Sequence, residues 1–348
     1  MQSNREPDCS GKVVFVGIDV HKKTYVIAAT CEGVLVKKAS VPASPDALLT
    51  TLLRAFPNST IRTAYEAGFS GFGLHHFLKE KCIENMVVNP ASILTRANDK
   101  VKTDSRDALA ISRQLASGLL QSVYIPNRDD ELARTLSRQR EQLVGDRTRV
   151  ANRIKSLLFQ YSISFPEFDK PVGVKWLAAV QQLDMLEELK SLLNRLIRQY
   201  FFFREQIKEI EAELALLAAK DEREKILRSV PGIGAITSAV IRTEMINISR
   251  FSNEKKLASY FGLTPREHSS GENVRRGSIT KQGSGLLRRC ITEASWVAIG
   301  KDPLLRQKYE RLKAKRGGSR AIVAIARTLL GKIAHCLRNN VMYHIEAV

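Results

Sequence analysis

An unbroken apolar repeat between Leu186 and Leu217 constrains the fold of this chain more than any other feature of its sequence. Ten apolar side chains recur there at alternating spacings of three and four residues: Leu186, Leu189, Leu193, Leu196, Tyr200, Phe203, Ile207, Ile210, Leu214 and Leu217. This heptad pattern predicts a long helix with one apolar seam, as in a coiled coil. Residues 129–161, rich in charged helix formers, are its predicted antiparallel partner. The seam closes within one chain or between two subunits, and we expect a homo-oligomer, either a dimer or a tetramer.

The chain ahead of this repeat has the pattern of a mixed α/β domain. Short β-branched runs at Val13–Val20, residues 25–30 and residues 34–40 predict a meander of three strands. Helices are then predicted at residues 42–56, 71–82 and 104–117, and strands at Thr60–Glu66 and residues 85–89. Three strands followed by alternating helices and strands predict a mixed sheet in the order that RNase H-like nucleases use.

The sequence divides into three predicted domains. We predict an RNase H-like α/β domain at residues 10–127, a helical coiled-coil region at residues 128–222 and a mainly helical domain at residues 223–348. In the last of these, VPGIGA places a Pro-Gly-x-Gly turn between two helical patterns, which is typical of a helix-hairpin-helix. Gly232 and Gly234 would then let backbone N–H groups approach a nucleic-acid phosphate. An ordinary tight turn between two helices explains the same residues.

Basic charge is concentrated in the last predicted domain. The chain has 55 Lys and Arg residues against 36 Asp and Glu residues, a formal net charge of +19. Residues 223–348 contain 24 basic and 9 acidic residues, so +15 of that charge lies there. Such a surface predicts a polyanionic partner, most commonly nucleic acid, although a merely solubilising surface has the same composition.

Cysteine usage and hydropathy disfavour other classes of protein. The cysteines are scattered, without the paired spacing of a zinc site, at Cys9, Cys31, Cys82, Cys290 and Cys336. A structural zinc site is therefore not expected, and a reducing compartment is. No apolar run of the sequence reaches the ~18 residues that span a bilayer, and the first residues lack the apolar core of a signal peptide. We expect a soluble protein of the cytoplasm.

Four carboxylates stand where a metal-dependent phosphoryl-transfer site needs them. Asp19 lies in the apolar strand VVFVGIDV, and Glu66 ends the fourth predicted strand. Asp104 and Asp107 are three residues apart, so they share one face near the start of a predicted helix. Oxygen ligands on rigid elements suit magnesium, and two such ions clamp the attacking and leaving oxygens of a phosphodiester. Each carboxylate alone also has an ordinary explanation at a turn, a strand end or a helix cap.

These carboxylates lie in motifs that resemble a known family. Residues 17–22 (GIDVHK), 65–68 (YEAG) and 102–108 (KTDSRDA) resemble the RuvC-like domain of DEDD transposases. These are recombinases of insertion sequences, with the Piv-type invertases as relatives, and many are guided by a bridge RNA. The resemblance implies that the four carboxylates hold magnesium and that a structured RNA directs the enzyme. His21, within the first motif, is expected to be a solvent-exposed turn residue.

The C-terminal half resembles the transposase domain of the same family. It contains SVPGIGAITSAVI at residues 229–241, YFGLTPREHSSG at residues 260–271 and RRGSITKQGSGLLRRCITEA at residues 275–294. The resemblance implies a serine nucleophile at Ser270, with Ser269 as the alternative because the sequence reads HSSG. Such a serine would attack a DNA phosphodiester and conserve the bond energy in a covalent phosphoserine. Basic side chains nearby would neutralise phosphate charge, namely Arg275, Arg276, Lys281 and Arg288.

Three functions are compatible with these features. The first is a transposase that cuts and rejoins DNA strands through a serine–DNA intermediate. The second is a RuvC-like nuclease that hydrolyses DNA junctions with an activated water and forms no covalent intermediate. The third is a non-catalytic architectural protein that binds nucleic acid. The clustered carboxylates argue against the third, because negative charge near phosphates weakens simple binding.

Overall fold

The computed structural model describes residues 8–94, 103–166, 168–270 and 273–345. The chain forms two compact units, Met1–Ile125 and Pro126–Val348. None of the described helices combines the length and the apolar content that a membrane crossing requires.

The first unit is built on a five-stranded mixed sheet. Its strands are β1 (Val13–Val20), β2 (Thr24–Cys31), β3 (Val34–Pro42), β4 (Thr60–Glu66) and β5 (Glu84–Val88). Their spatial order is β3-β2-β1-β4-β5. β1 pairs antiparallel with β2 and parallel with β4, so the strand direction changes at the centre of the sheet. The predicted meander and mixed sheet are confirmed, and this arrangement is compatible with an RNase H-like domain.

Helices cover both faces of this sheet. They are α1 (Pro45–Ala55), α2 (Gly73–Glu80) and α3 (Asp104–Ala116), with a 3-10 turn at Pro90–Ser92. Leu48 of α1 and Leu78 of α2 share an apolar cluster with Tyr65 of β4. Ile111 of α3 belongs instead to a cluster with Ala64, the neighbour of Tyr65 in the strand. Because adjacent strand residues point to opposite faces, α3 lies on the face opposite to α1 and α2.

α3 lies unusually close to β1. A Cβ atom at Gly17 would lie 1.9 Å from the carbonyl oxygen of Ala108, so only glycine fits at this crossing. Ser112 donates a hydrogen bond to the carbonyl oxygen of Phe15 at 2.9 Å, and its hydroxyl lies 2.8 Å from that of Thr30. These contacts fix both the position of α3 along β1 and its rotation. They thereby determine where the first turn of α3 lies relative to the end of β1.

Two long helices dominate the start of the second unit. These are α4 (Arg128–Gln160) and α6 (Glu187–Ala219), and the shorter α5 (Val174–Gln181) lies between them in sequence. Leu136 of α4 shares an apolar cluster with Leu214 of α6, and Ile154 of α4 shares another with Leu193 of α6. Early residues of one helix therefore meet late residues of the other. The helices pack antiparallel within one chain, as the sequence predicts for residues 129–161.

The apolar repeat in α6 is buried through its middle and exposed at its ends. Six of its ten members are buried, whereas Leu186 and Leu217 are 67% and 43% exposed. Much of the seam is therefore covered by α4 of the same chain. Whether the two helices wind around each other as a true coiled coil stays a prediction, and so does the oligomeric state.

The remaining helices enclose a separate apolar core. They are α7 (Arg223–Ser229), α8 (Ala235–Met245), α9 (Glu254–Tyr260), α10 (Gly285–Lys301), α11 (Pro303–Arg316) and α12 (Gly318–Asn339), with a 3-10 turn at Ile248–Arg250. The centre of the core includes Leu227, Phe261 and Leu329, all fully buried. Arg138 of α4 donates two hydrogen bonds, of 2.6 and 2.9 Å, to the buried carboxylate of Glu244. This ion pair ties the long helix to α8.

A two-stranded hairpin interrupts these helices. β6 (Pro265–Ser270) pairs antiparallel with β7 (Asn273–Ile279). The sequence prediction of a mainly helical domain missed both strands. Their residues are mostly charged or polar, and Val274 and Ile279 are their only β-branched apolar residues. Backbone pairing defines this hairpin, and because its sequence lacks period-two hydrophobicity, that pattern does not detect it.

We predict that Gly17→Ala lowers the free energy of unfolding of the first unit by about 3 kcal/mol, because the added methyl group must displace α3. Chemical denaturation followed by circular dichroism measures the change. Gly73→Ala is the matched control, since a Cβ atom there meets nothing within 4 Å. Equal stability of the two variants would show that the close contact of α3 with β1 is not a constraint.

Candidate functional site

Three polar side chains meet where β1 ends and α3 begins. Asp19 is near the end of β1, Asp104 is the first residue of α3, and His21 lies in the turn after β1. His21 Nε2 is 3.2 Å from Asp19 Oδ2 and 3.1 Å from Asp104 Oδ2. The donor atoms of these three residues all lie within 4.8 Å of one another. Two of the four predicted metal ligands are thus brought together, with a histidine between them.

His21 differs from the sequence expectation. Its side chain is 40% exposed, as a turn residue would be, but its Nε2 atom is shielded from solvent. That nitrogen is close to both carboxylates yet is aligned for a hydrogen bond with neither. A shielded polar atom without a hydrogen bond is costly unless another group satisfies it. The signal for His21 in the sequence was its position two residues after Asp19, at the end of a buried strand.

Asp107 and Glu66 belong to the same end of the first unit. Asp107 lies in the first turn of α3, and its charge acts on Asp19. Glu66 ends β4, which runs parallel to β1 with Gly17 opposite Ala64. Two residues further along each strand, Asp19 and Glu66 share the face that α3 covers. The exposed Glu66 side chain is nevertheless outside the group formed by Asp19, His21 and Asp104.

The environment of Asp19 disfavours its ionised form. Burial raises the pKa of this carboxyl group above its usual value, and the charges of Asp104 and Asp107 raise it further. His21 acts in the opposite direction. Like charges held this close destabilise the fold unless a cation lies among them.

The donor set fits a divalent cation. Carboxylate oxygens are the ligands that Mg²⁺ and Mn²⁺ prefer, and imidazole nitrogen is a common ligand of first-row transition metals. A cation bound here would satisfy the shielded Nε2 atom of His21 and offset the repulsion between Asp19 and Asp104. The first turn of α3 adds backbone N–H groups whose partial positive charge favours its two aspartates. This end of the sheet is therefore a candidate metal centre.

The glycines of the predicted helix-hairpin-helix lie between α7 and α8. Gly232 has a positive φ of 87°, and a Cβ atom there would lie 2.3 Å from the carbonyl oxygen of Ala294 in α10. The backbone approach that Gly232 permits is thus to a neighbouring helix of the same unit. Gly234 is exposed immediately before the first residue of α8. The arrangement gives Gly232 a packing role, and phosphate binding at Gly232 and Gly234 stays a prediction.

The predicted serine nucleophile lies on the hairpin of the second unit. Ser269 and Ser270 end β6, and Arg275 and Arg276 lie on β7, which pairs with it. The backbone of these residues is described, but their side chains lie outside the described part of the chain. The prediction that one of the serines attacks DNA therefore remains a prediction.

Lys281 and Arg288 lie at the base of this hairpin. Lys281 is exposed with a positive φ of 58°, and Arg288 is half-buried in α10. A Cβ atom at Gly262 would lie 2.3 Å from Nη1 of Arg288, so this guanidinium group lies over the turn that precedes β6. Arg288 thus packs against the start of the hairpin, while Lys281 projects to solvent.

Comparison with known proteins identifies relatives of both units. Residues 16–163 match a family described as transposases, of the DEDD type from IS110 elements, and residues 224–310 match the transposase IS116/IS110/IS902 family. A putative transposase y4qE of Sinorhizobium fredii is 27% identical over 323 residues, covering 91% of this chain and 80% of the relative. The transposase of insertion sequence IS1328 from Yersinia enterocolitica is 31% identical over 197 residues, covering 56% of this chain and 58% of the relative. The transposase of insertion sequence IS1111A from Coxiella burnetii is 28% identical over 234 residues, covering 65% of this chain and 64% of the relative.

We predict that Asp19→Asn stabilises the metal-free protein at neutral pH. Folding raises the pKa of Asp19, so above that pKa the folded state loses stability relative to the unfolded chain, and the amide removes this loss. The melting temperature should rise by roughly 2–4 °C for each kcal/mol of relieved repulsion. It should also stop responding to MgCl₂ or MnCl₂, which are expected to stabilise the unmodified protein.

Asp46→Asn is the control for this experiment, because Asp46 is an exposed carboxylate in the first turn of α1 of the same unit. The melting temperature of the Asp46→Asn variant should rise on addition of the metal as much as that of the unmodified protein. A response of the Asp19→Asn variant equal to that of the control would remove Asp19 from the metal site.

Proposed function

We propose that the chain cuts and rejoins DNA with magnesium-binding carboxylates and a serine nucleophile, as its matches to DEDD and IS116/IS110/IS902 transposase families at residues 16–163 and 224–310 support. The observation that carries the metal half of this proposal is the meeting of Asp19, His21 and Asp104 at one edge of the sheet. The order of its carboxylates along the chain supports the same half.

Asp19 and Asp104 would hold the cation, with His21 beside them. Asp107 and Glu66, at the same end of the first unit, complete the set of four carboxylates that we assign to it. A bound Mg²⁺ supplies positive charge that polarises the phosphate and stabilises the attacking and leaving oxygens. The carboxylates orient that charge, and the packing of α3 on β1 holds Asp104 next to Asp19.

The serine step conserves the phosphodiester bond energy. The Oγ atom of Ser270 attacks phosphorus and loses its proton, while the bond from phosphorus to one deoxyribose oxygen breaks and that oxygen takes up a proton. The strand end is then held as a phosphoserine ester. A hydroxyl of the incoming strand attacks the same phosphorus, forms the new phosphodiester and releases the serine. No external energy source is needed for rejoining, which suits transposition.

The basic second unit supports binding of nucleic acid, and we propose that its partners include a structured guide RNA as well as DNA. The resemblance to guided recombinases supports an RNA partner. The net positive charge of the second unit suits either polyanion. Sequencing of the nucleic acid that copurifies with the protein tests this part of the proposal. A discrete RNA from the flanks of the insertion sequence is the expected result, and heterogeneous cellular RNA would contradict guided targeting.

We predict that Ser270→Ala abolishes the covalent protein–DNA adduct trapped on a suicide substrate, a nicked duplex that loses a short fragment on cleavage. The alanine side chain has no oxygen with which to form the phosphoester. Denaturing electrophoresis of end-labelled DNA detects the adduct as a protease-sensitive shift. Ser269→Ala is the matched control and should retain it.

The two variants also separate the alternatives. Loss of the adduct only in Ser269→Ala would move the nucleophile by one residue. Cleavage without any adduct in the unmodified protein would indicate hydrolysis by water, as in a RuvC-like nuclease.

A further inference from the structure

The last two long helices of the chain carry a concentration of basic charge that the site described above does not use. Residues 303–339, which form α11 and α12, contain ten basic residues and one acidic residue, Glu310. The match to the transposase family ends at residue 310, within α11. Most of this helical hairpin therefore lies beyond the part of the chain to which the family match extends.

The packing of the hairpin determines which of these side chains share a surface. α11 and α12 are joined at Gly317, which has a positive φ of 79°. Nζ of Lys308 donates a hydrogen bond of 2.8 Å to Oγ1 of Thr328, twenty residues later. The two helices therefore run antiparallel, with Lys308 beside Thr328.

Two rows of basic side chains follow from this register. Arg311 and Lys315 lie three and seven residues after Lys308, on the same flank of α11. Arg320 and Arg327 lie about two helical turns apart on the solvent face of α12. The opposite face of this helix packs on the core through buried Ala321, Ile322, Ile325 and Ala326. Glu310 lies on the other flank of α11, where it pairs with Lys313 at 3.8 Å. The surface formed by Arg311, Lys315, Arg320 and Arg327, which we call the hairpin face, is therefore basic, and the carboxylate of Glu254 lies at its edge, against Gly331, one helical turn after Arg327.

Other basic residues of the hairpin already have structural partners. Lys332 lies 3.3 Å from the buried carboxylate of Asp302, and Arg338 donates to the carbonyl oxygen of Phe251 at 3.1 Å. The four residues of the hairpin face are exposed, and none has an ion pair or hydrogen bond with the described part of the chain. Four neighbouring cations left unpaired repel one another, so a polyanion on this face would be stabilising.

The spacing of the face fits a nucleic-acid backbone. With a rise of about 1.5 Å per helical residue, Arg311 and Lys315 are about 6 Å apart along α11, and Arg320 and Arg327 about 10 Å apart along α12. Phosphates of one DNA strand advance by about 3.4 Å each along the duplex axis, so long basic side chains at these intervals can contact several phosphates of the same duplex. Between the two arginines, Val323 and Ala324 carry no group that reads a base edge. The face is suited to phosphates and not to a particular sequence.

We propose that the hairpin face is a separate binding site for the phosphate backbone of double-stranded DNA, which positions the duplex without reading its sequence. The choice of DNA rests on the proposed function, because a transposase must hold its substrate duplex. The site itself rests on the register, exposure and lack of partners of the four side chains. Its loss weakens binding of every DNA sequence alike.

The test compares two quadruple variants of the full-length protein. The first changes the face, with Arg311, Lys315, Arg320 and Arg327 all replaced by Gln. The second removes the same amount of positive charge from α4, α5 and α6. Four exposed basic residues there, Arg153, Lys175, Arg195 and Arg198, are replaced by Gln. Fluorescence anisotropy measures binding of a labelled 30-base-pair duplex of arbitrary sequence, as DNA and as RNA, over a range of salt concentrations. This assay needs no cleavage, so a catalytically inactive protein gives the same information.

The face variant should bind DNA at least about tenfold more weakly, and the slope of log K against log salt should become less steep by about 3 to 4. The control variant should keep most of the slope. A second face variant that exchanges Arg for Lys and Lys for Arg retains the charge and should bind like the unmodified protein. Unchanged melting temperatures show that each variant is folded.

Several outcomes would overturn this assignment. They are equal losses in the face and control variants, undiminished DNA binding by the face variant, and a loss confined to the RNA duplex. Failure of the unmodified protein to bind DNA would overturn both this site and the proposed function. Normal DNA binding by a protein that forms no serine adduct would count against the proposed chemistry alone.

Discussion

The contact between α3 and β1 at Gly17 is the constraint on which the candidate metal centre depends. The backbone of α3 approaches so closely that a Cβ atom at Gly17 would lie 1.9 Å from the Ala108 carbonyl oxygen. Buried hydroxyl contacts of Ser112 set the rotation of the helix. Because the position and rotation of α3 are fixed, its first turn lies beside the end of β1. Asp104 reaches Asp19 for that reason, although 85 residues separate them in sequence.

The same packing creates an electrostatic cost. Asp19 is three-quarters buried by side-chain area, and burial together with neighbouring carboxylates raises its pKa. His21 acts in the opposite direction on the pKa of Asp19, from an Nε2 atom that lies 3.2 Å from Asp19 and 3.1 Å from Asp104. A fold that concentrates like charge in this way is typical of a site that binds a cation. We expect the protein to be less stable without a bound cation than with one, because the carboxylates are already held close together.

The parts of the fold that follow from local periodicity were predictable. The strands of the first unit are short β-branched runs bounded by turns, and the heptad repeat of α6 extends across nearly the whole helix. The β6–β7 hairpin was not predictable in this way, because its residues are mostly charged or polar and its sequence lacks period-two hydrophobicity. His21 was missed for a different reason. Its position two residues after Asp19 was the one local signal, and its contact with Asp104 depends on the close packing of α3 on β1. The packing of Gly232 against α10 was likewise not predictable from the sequence, and phosphate binding at this glycine stays a prediction.

We propose that Asp104, brought next to Asp19 by α3, holds a divalent cation needed for DNA cleavage. Magnesium-dependent cleavage of a labelled duplex carrying the ends of the insertion sequence measures this most directly, with DNA binding followed in parallel. For Asp104→Asn, we expect DNA binding at the level of the unmodified protein and cleavage reduced to background at every magnesium concentration. Cleavage by Asp104→Asn at the unmodified rate, with the same dependence on magnesium, would contradict it.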